Sequence, residues 1–191
     1  MITIISAVCN NTEFFDEYYN SIVSQNEPFE LLVGIDACEL SKKFFESHKF
    51  SNTRVFYFPE KCYQYVIENT LSTLAGDMIL FFDVDDIMID GLLKEVSLSP
   101  DRTCITRYSF DFRPPRPGLV LLKNSFLAHG TFAISKNSFH LLKGFYPFTC
   151  GADSEFMHRC AFNNIQTRKI FKPMFYYRKH PKQATVKKDT G

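Results

Sequence analysis

Three carboxylates occupy four positions at Asp83-Val84-Asp85-Asp86, directly after the apolar run Met78-Ile79-Leu80-Phe81-Phe82. Like charges at the end of a buried segment repel one another and resist desolvation unless a positive charge offsets them. A divalent cation supplies that charge, and hard oxygen donors suit Mg2+ or Mn2+. Such ions take one or two protein carboxylates and complete their shell with phosphate oxygens and water. A solvated acidic turn is the plainer reading, but it does not explain why so apolar a run leads into the cluster. The spacing is not that of a calcium loop, because Met88 and Lys94 stand where a glycine and a glutamate are required. No Gly-x-x-x-x-Gly-Lys-Ser/Thr phosphate loop and no Gly-x-Ser-x-Gly nucleophile elbow occurs.

Two further clusters carry chemistry. Asp153, in Gly151-Ala152-Asp153-Ser154-Glu155, falls in the first turn of an expected helix. There the dipole favours an ionised carboxylate that can accept a proton from a hydroxyl. The alternative is a helix-terminal acid with no catalytic duty. Tyr176-Tyr177-Arg178-Lys179-His180-Pro181-Lys182 sets cations beside aromatic rings. His180 can ligate a metal or pair with a phosphate, and Arg178 suits a diphosphate. A solvated basic tail fits the same residues.

The elements around these clusters alternate. Ile2 to Val8, Phe29 to Ile35, Arg54 to Phe58 and Met78 to Phe82 read as strands. Thr12 to Ser24, Leu40 to His48 and Tyr63 to Ala75 read as helices between them. This alternation predicts an α/β fold with a mostly parallel central sheet and helices on both faces. Ligands then bind at the carboxyl ends of strands, where Cys9-Asn10, Asp36 and Asp83 to Asp86 fall. From about residue 100 the pattern changes. Strands are expected at Cys104 to Phe112, Gly118 to Leu122, Phe132 to Ser135 and near Thr167 to Ile170, with helices from Ser135 to Lys143 and over Ala152 to Phe162.

The 191 residues fit one domain, with 45% apolar residues to fill a core. A net charge of +1 argues against broad binding to nucleic acid or an acidic membrane surface. No apolar run is long enough to span a bilayer, and the N-terminus reads as a first strand without the basic leader of a signal peptide. The six cysteines show no C-x-x-C pair. They are expected as thiols in a reducing compartment, which points to the cytoplasm.

In these residues the chain resembles the family 2-like glycosyltransferases of the GT-A fold, over Ile2 to about Thr185. Ile4 to Asn11 looks like that family's first strand and nucleotide loop, and Val33-Gly34-Ile35-Asp36 like its second strand. Ala75 to Asp86 is similar to its strand into the DxD motif. Gly130 to Ser135, Gly144-Phe145 and Ala152 to Glu155 follow the order of its acceptor half, and Tyr177 to Pro181 looks like its closing motif. The resemblance implies a single GT-A (Rossmann-like) domain over 1–191. A nucleotide-binding half would span about 1–100, and an acceptor half with a small antiparallel part about 101–191.

It further implies a metal-dependent, inverting transfer from a UDP-sugar to a glycan or glycoprotein hydroxyl. Ala7 would line the nucleotide loop, Asp36 would bond the uracil, and Asp83 the ribose or the metal. Asp85 and His180 would be metal ligands, Asp86 would orient the donor sugar, and Asp153 would be the general base. Two departures stand out: Ala152 replaces the acid that usually precedes the catalytic Asp, and Glu68 stands where an Arg is common. Diphosphate binding then falls to Lys61, Arg178 or His180. A retaining transferase and a non-catalytic sugar-nucleotide or glycan-binding domain are the competing readings. The short length resembles a viral (chlorella-virus) or minimal bacterial member, expected as one domain of a longer polypeptide.

Overall fold

The computed structural model describes residues 1–59, 74–98, 104–108, 119–120, 131–146, 152–170, 174–178 and 180–182. The strands are β1 (Ile2–Val8), β2 (Phe29–Asp36), β3 (Thr53–Phe58), β4 (Met78–Phe81), β5 (Ile87–Met88), β6 (Cys104–Tyr108), β7 (Leu119–Val120), β8 (Phe132–Ser135), β9 (Gln166–Ile170) and β10 (Phe175–Arg178). The helices are α1 (Phe15–Val23), entered through a 3-10 turn at Thr12–Phe14, then α2 (Glu39–Ser47), α3 (Leu92–Ser97), α4 (Lys136–Leu141) and α5 (Ala152–Phe162).

Seven strands form one sheet in the order β3-β2-β1-β4-β8-β6-β9. The first four in that order are parallel, as the alternation of strands and helices requires. β8 runs antiparallel between β4 and β6, while β6 and β9 are parallel. A second, antiparallel sheet pairs β10 with β5 and with β7. The expected α/β class, mostly parallel sheet and small antiparallel part are therefore all present.

The continuous apolar runs are explained by burial on both faces. Along β1, Ile2, Ile4 and Val8 enter one core with α1, α2 and α3, while Ile5 enters the other with α4 and α5. β4 divides in the same way, sending Met78 and Leu80 to the first core and Ile79 and Phe81 to the second. Its four residues are at most 2% exposed, so the acidic turn that follows starts from a rigid support.

Some expectations differ in detail. The Asn11 Oδ1 accepts a hydrogen bond from Cys9 N at 3.1 Å, which tightens the turn leaving β1 before the helix expected from Thr12 begins as a 3-10 turn. β5, α3 and β10 were not expected. The expected helix over Tyr63 to Ala75 lies outside the described residues apart from Leu74 and Ala75, which are not helical, and so does the proline-rich turn Pro114 to Pro117.

Gly76 precedes β4 where the chain presses on β1. A Cβ there would lie 2.6 Å from Thr3 N and 2.8 Å from Met1 O. Both are backbone atoms, so the strand entry would have to shift. Gly76→Ala should lower the unfolding free energy by about 1–3 kcal/mol, the usual cost of overpacking; urea denaturation at unchanged m-value checks this.

Candidate active site

The strand order turns outward in both directions from β1 and β4, which makes their shared carboxyl edge the switch point where ligands of such sheets bind. The acidic turn leaves β4 at that edge. Ser6 of β1 fixes its base, the buried hydroxyl donating to the Phe82 carbonyl at 2.7 Å and bonding to the Tyr18 hydroxyl. The Tyr18 ring stacks on Phe82 at 5.4 Å. Burial pushes the Tyr18 hydroxyl well above the usual phenol range, so it stays a neutral partner of Ser6.

Asp83 is half-buried, and its carboxyl is pushed up to about 7 by burial first, then by Asp85 and Asp153. Asp86 is 1% exposed and is also pushed well above its ordinary value, by burial first and then by Asp83 and Asp85. Arg178 partly opposes that shift: its backbone N–H donates to Asp86 Oδ1 at 3.0 Å. The Arg178 Nε–H donates to the Asp85 carbonyl at 2.8 Å, and His180 Nε2 lies 2.8 Å from Asp85 Oδ2.

Arg178 and His180 reach the turn because β10 pairs with β5 just past it, Tyr176 opposite Ile87. Asp153 comes from the other side, on the first turn of α5, with its Oδ1 accepting the Ser154 N–H at 2.8 Å. Its charge is the smallest of the three causes that raise the Asp83 carboxyl. Asp36 ends β2, and Ala7 of β1 pairs in register with Gly34, so both line the same edge next to the turn. Lys61 lies outside the described residues.

Two residues sit differently from the sequence reading. Asp86, expected beside the donor sugar, is turned inward to the Arg178 backbone. Arg178, expected at the diphosphate, has its guanidinium bonded to the Asp85 carbonyl and to Glu17 Oε2, at 2.8 and 2.6 Å. Glu17 and Phe14 escaped the sequence reading. The only signal was Glu13 and Glu17 four apart on a helix, a pattern that ordinarily marks a solvated face.

Among the described residues, no three His, Cys, Asp or Glu side chains converge as a complete metal cage. Asp85 and His180 are adjacent, and Asp83 lies within Coulombic reach of Asp85. This donor set fits an ion whose remaining ligands come from a phosphate-bearing substrate and water, and does not fit a structural metal. The cavity bounded by Met1, Ile2, Glu27, Pro28, Asp77, Met78 and Ser97 lies at the amino ends of β1 and β4, away from this edge.

A sheet of this order with the acidic turn at its switch point is the GT-A glycosyltransferase fold, and solved structures of that class superpose on the chain. By sequence it matches no family model and no curated protein. S. aureus TarS 1–349 in complex with UDP-GlcNAc aligns with a TM-score of 0.78 at 15% identity, covering 97% of this chain and 60% of that one. The same fragment in complex with UDP gives 0.72 at 17% identity, covering 94% and 61%. The mannosyltransferase PcManGT from Pyrobaculum calidifontis, in complex with GDP-Man and Mn2+, gives 0.68 at 15%, covering 89% and 54%. The chain thus spans about 60% of the length of the TarS fragment. The expected chlorella-virus source finds no support in these likenesses.

The raised carboxyls set a pH dependence. Their folded-state pKa lies above the unfolded one, so protonation favours the folded chain. That contribution is complete below the ordinary value of 3.8 and is lost as pH rises through about 7 for Asp83. The metal-free chain should melt at a lower temperature at pH 8 than at pH 6. Asp86→Asn, which keeps an acceptor for the Arg178 N–H, should raise Tm at pH 8 by about 2–4 °C, the shift about 1 kcal/mol gives in a domain of this size.

Proposed function

We propose that the chain is a metal-dependent glycosyltransferase. It moves a sugar from a nucleoside-diphosphate sugar, a UDP-sugar by preference, to a hydroxyl of a glycan or glycoprotein, with inversion at the anomeric carbon. The observation that carries this reading is the pairing of His180 with Asp85 on the acidic turn that leaves β4 at the sheet's switch point. Support for the donor class comes from the likeness to structures solved with UDP-GlcNAc, UDP and GDP-Man.

Asp85 and His180, with Asp83, are the residues that would hold Mn2+ or Mg2+. Bound there, the ion acts as a Lewis acid that stabilises charge on the departing nucleoside diphosphate. Asp36 and Ala7 receive the base, Asp83 faces the ribose, and Lys61 is assigned to the diphosphate. Asp153 accepts the proton of the acceptor hydroxyl as that oxygen bonds to the anomeric carbon. The bond from that carbon to the diphosphate oxygen breaks in the same step, opposite the new bond, through a transition state of oxocarbenium character.

No helix among the described residues is long and apolar enough to cross a membrane, and Cys38 and Cys160 are free thiols.

Ala152, in place of the usual acid, favours a second reading as a sugar-nucleotide-binding domain without turnover. Release of UDP from UDP-sugars in the presence of Mn2+ separates the two. The transferase should show slow donor hydrolysis that acceptor accelerates. Asp85→Ala should reduce it at least a hundredfold, since metal catalysis contributes several kcal/mol. Asp153→Asn should lower kcat with acceptor by about 10²–10⁴ while leaving donor KM nearly unchanged. Undiminished turnover by Asp85→Ala would refute the metal assignment, and retained anomeric configuration in the product would refute inversion.

A further inference from the structure

The start of the first helix and the chain's C-terminal arm close on each other across the acidic turn, and the roles assigned above do not use that contact. From the arm, the Arg178 N–H donates to Asp86 and its Nε–H to the Asp85 carbonyl. Its terminal nitrogen donates to Glu17 Oε2 at 2.6 Å, with 17% and 38% of the two side chains exposed. The guanidinium stands 4.7 Å from the centre of the Phe14 ring. The same ring lies 4.7 Å from the His180 imidazole, which reaches Asp85 on its far side. Lys182 Nζ donates to Glu13 Oε1 at 2.5 Å, so a third residue of the same turn holds the arm.

This geometry competes with a two-pronged grip on a phosphate through the Nε side of Arg178. An arginine grips a phosphate through two parallel N–H groups of its planar fork. Here the Nε edge is used by Asp85, a terminal nitrogen by Glu17, and one ring-facing surface by Phe14. A diphosphate at that guanidinium would also meet the Glu17 carboxylate.

We propose that Phe14 and Glu17 are positioning residues for the donor site. They hold Arg178 and His180 against the Asp85–Asp86 turn, so Arg178 fixes where the Asp85 carboxylate lies and does not touch the diphosphate. The inference rests on the proposed function only in taking Asp85 and His180 as the ion's ligands. Loss of Glu17 should loosen ion binding through the same physical link as loss of the Arg178 fork. Groups acting through one link give effects that do not add.

The test compares wild type, Glu17→Gln, Arg178→Lys, the double variant and Phe14→Leu, each first shown to melt cooperatively. Mn2+ alone is titrated while its paramagnetic broadening of the His180 ring signals is followed by NMR. UDP affinity is then measured by calorimetry at low and saturating Mn2+. Each single variant should need about five- to tenfold more Mn2+ for half-maximal broadening, and the double variant no more than the worse single one. Saturating Mn2+ should bring the UDP affinity of Glu17→Gln and Arg178→Lys back to within about twofold of each other.

If Arg178→Lys stays tenfold weaker for UDP at saturating Mn2+ while Glu17→Gln binds as wild type does, Arg178 touches the diphosphate and the inference is overturned. Additive effects of the two substitutions overturn it as well, as does a wild-type chain in which Mn2+ leaves the His180 signals sharp. Wild-type broadening by Mn2+ without any UDP binding refutes the proposed donor and leaves the positioning role standing on the metal titration.

Discussion

The mutual repulsion of Asp83, Asp85 and Asp86 at the end of a buried strand is the constraint around which this molecule is arranged. β4 is almost fully enclosed, so the turn cannot swing away from its support into solvent. The chain relieves part of the cost by bringing Arg178 and His180 from 92 to 95 residues downstream. Burial first, and the neighbouring carboxylates after it, keep the Asp83 and Asp86 carboxyls raised. Such residual strain on charge is common where a protein is prepared for a cation or substrate.

The rigidity that keeps the turn in place comes from α1. Tyr18 bonds to Ser6, which bonds to the Phe82 carbonyl. One turn further, Ser21 Oγ accepts the Met88 N–H at 3.0 Å. At the helix end, the Gln25 amide accepts from Gly91 N and donates to the Ile89 carbonyl, at 3.0 and 3.2 Å. One helix thus holds the chain just before the acidic turn and just after it, while Glu17 and Phe14 at its start contact Arg178 of the arm. Ser21 and Gln25 are each only 9% exposed, and their bonds satisfy backbone groups that a buried loop would otherwise leave unpaired.

Much of the fold was legible in the sequence because buried parallel strands leave continuous apolar runs. β1 and α5 have the expected bounds, and β2, β3, β4 and α2 differ from expectation by a residue or so at their ends. The acidic turn was legible for the same reason: carboxylates are conspicuous directly after such a strand. Legibility failed where pairing is short and distant. β5 has two residues, and its partner Tyr176 lies 89 positions from Ile87. The basic composition of 176–182 hid the strand character of Phe175–Arg178, of which only Phe175 is buried. Glu17 was illegible as part of the site because helical periodicity shows which face is polar and not what meets it 161 residues later.

The central claim, that this edge takes a nucleoside-diphosphate sugar together with a divalent cation, is tested most directly by thermal unfolding against UDP, GDP and their sugars, each with and without Mn2+. A ligand that binds only the folded chain stabilises it by about 2.7 kcal/mol at a hundred times its Kd, or roughly 5–11 °C in a domain of this size. Such a shift is expected for at least one UDP-sugar, present with Mn2+ and largely lost without it. No shift for any nucleotide sugar with Mn2+, or equal shifts with and without the ion, would contradict the claim.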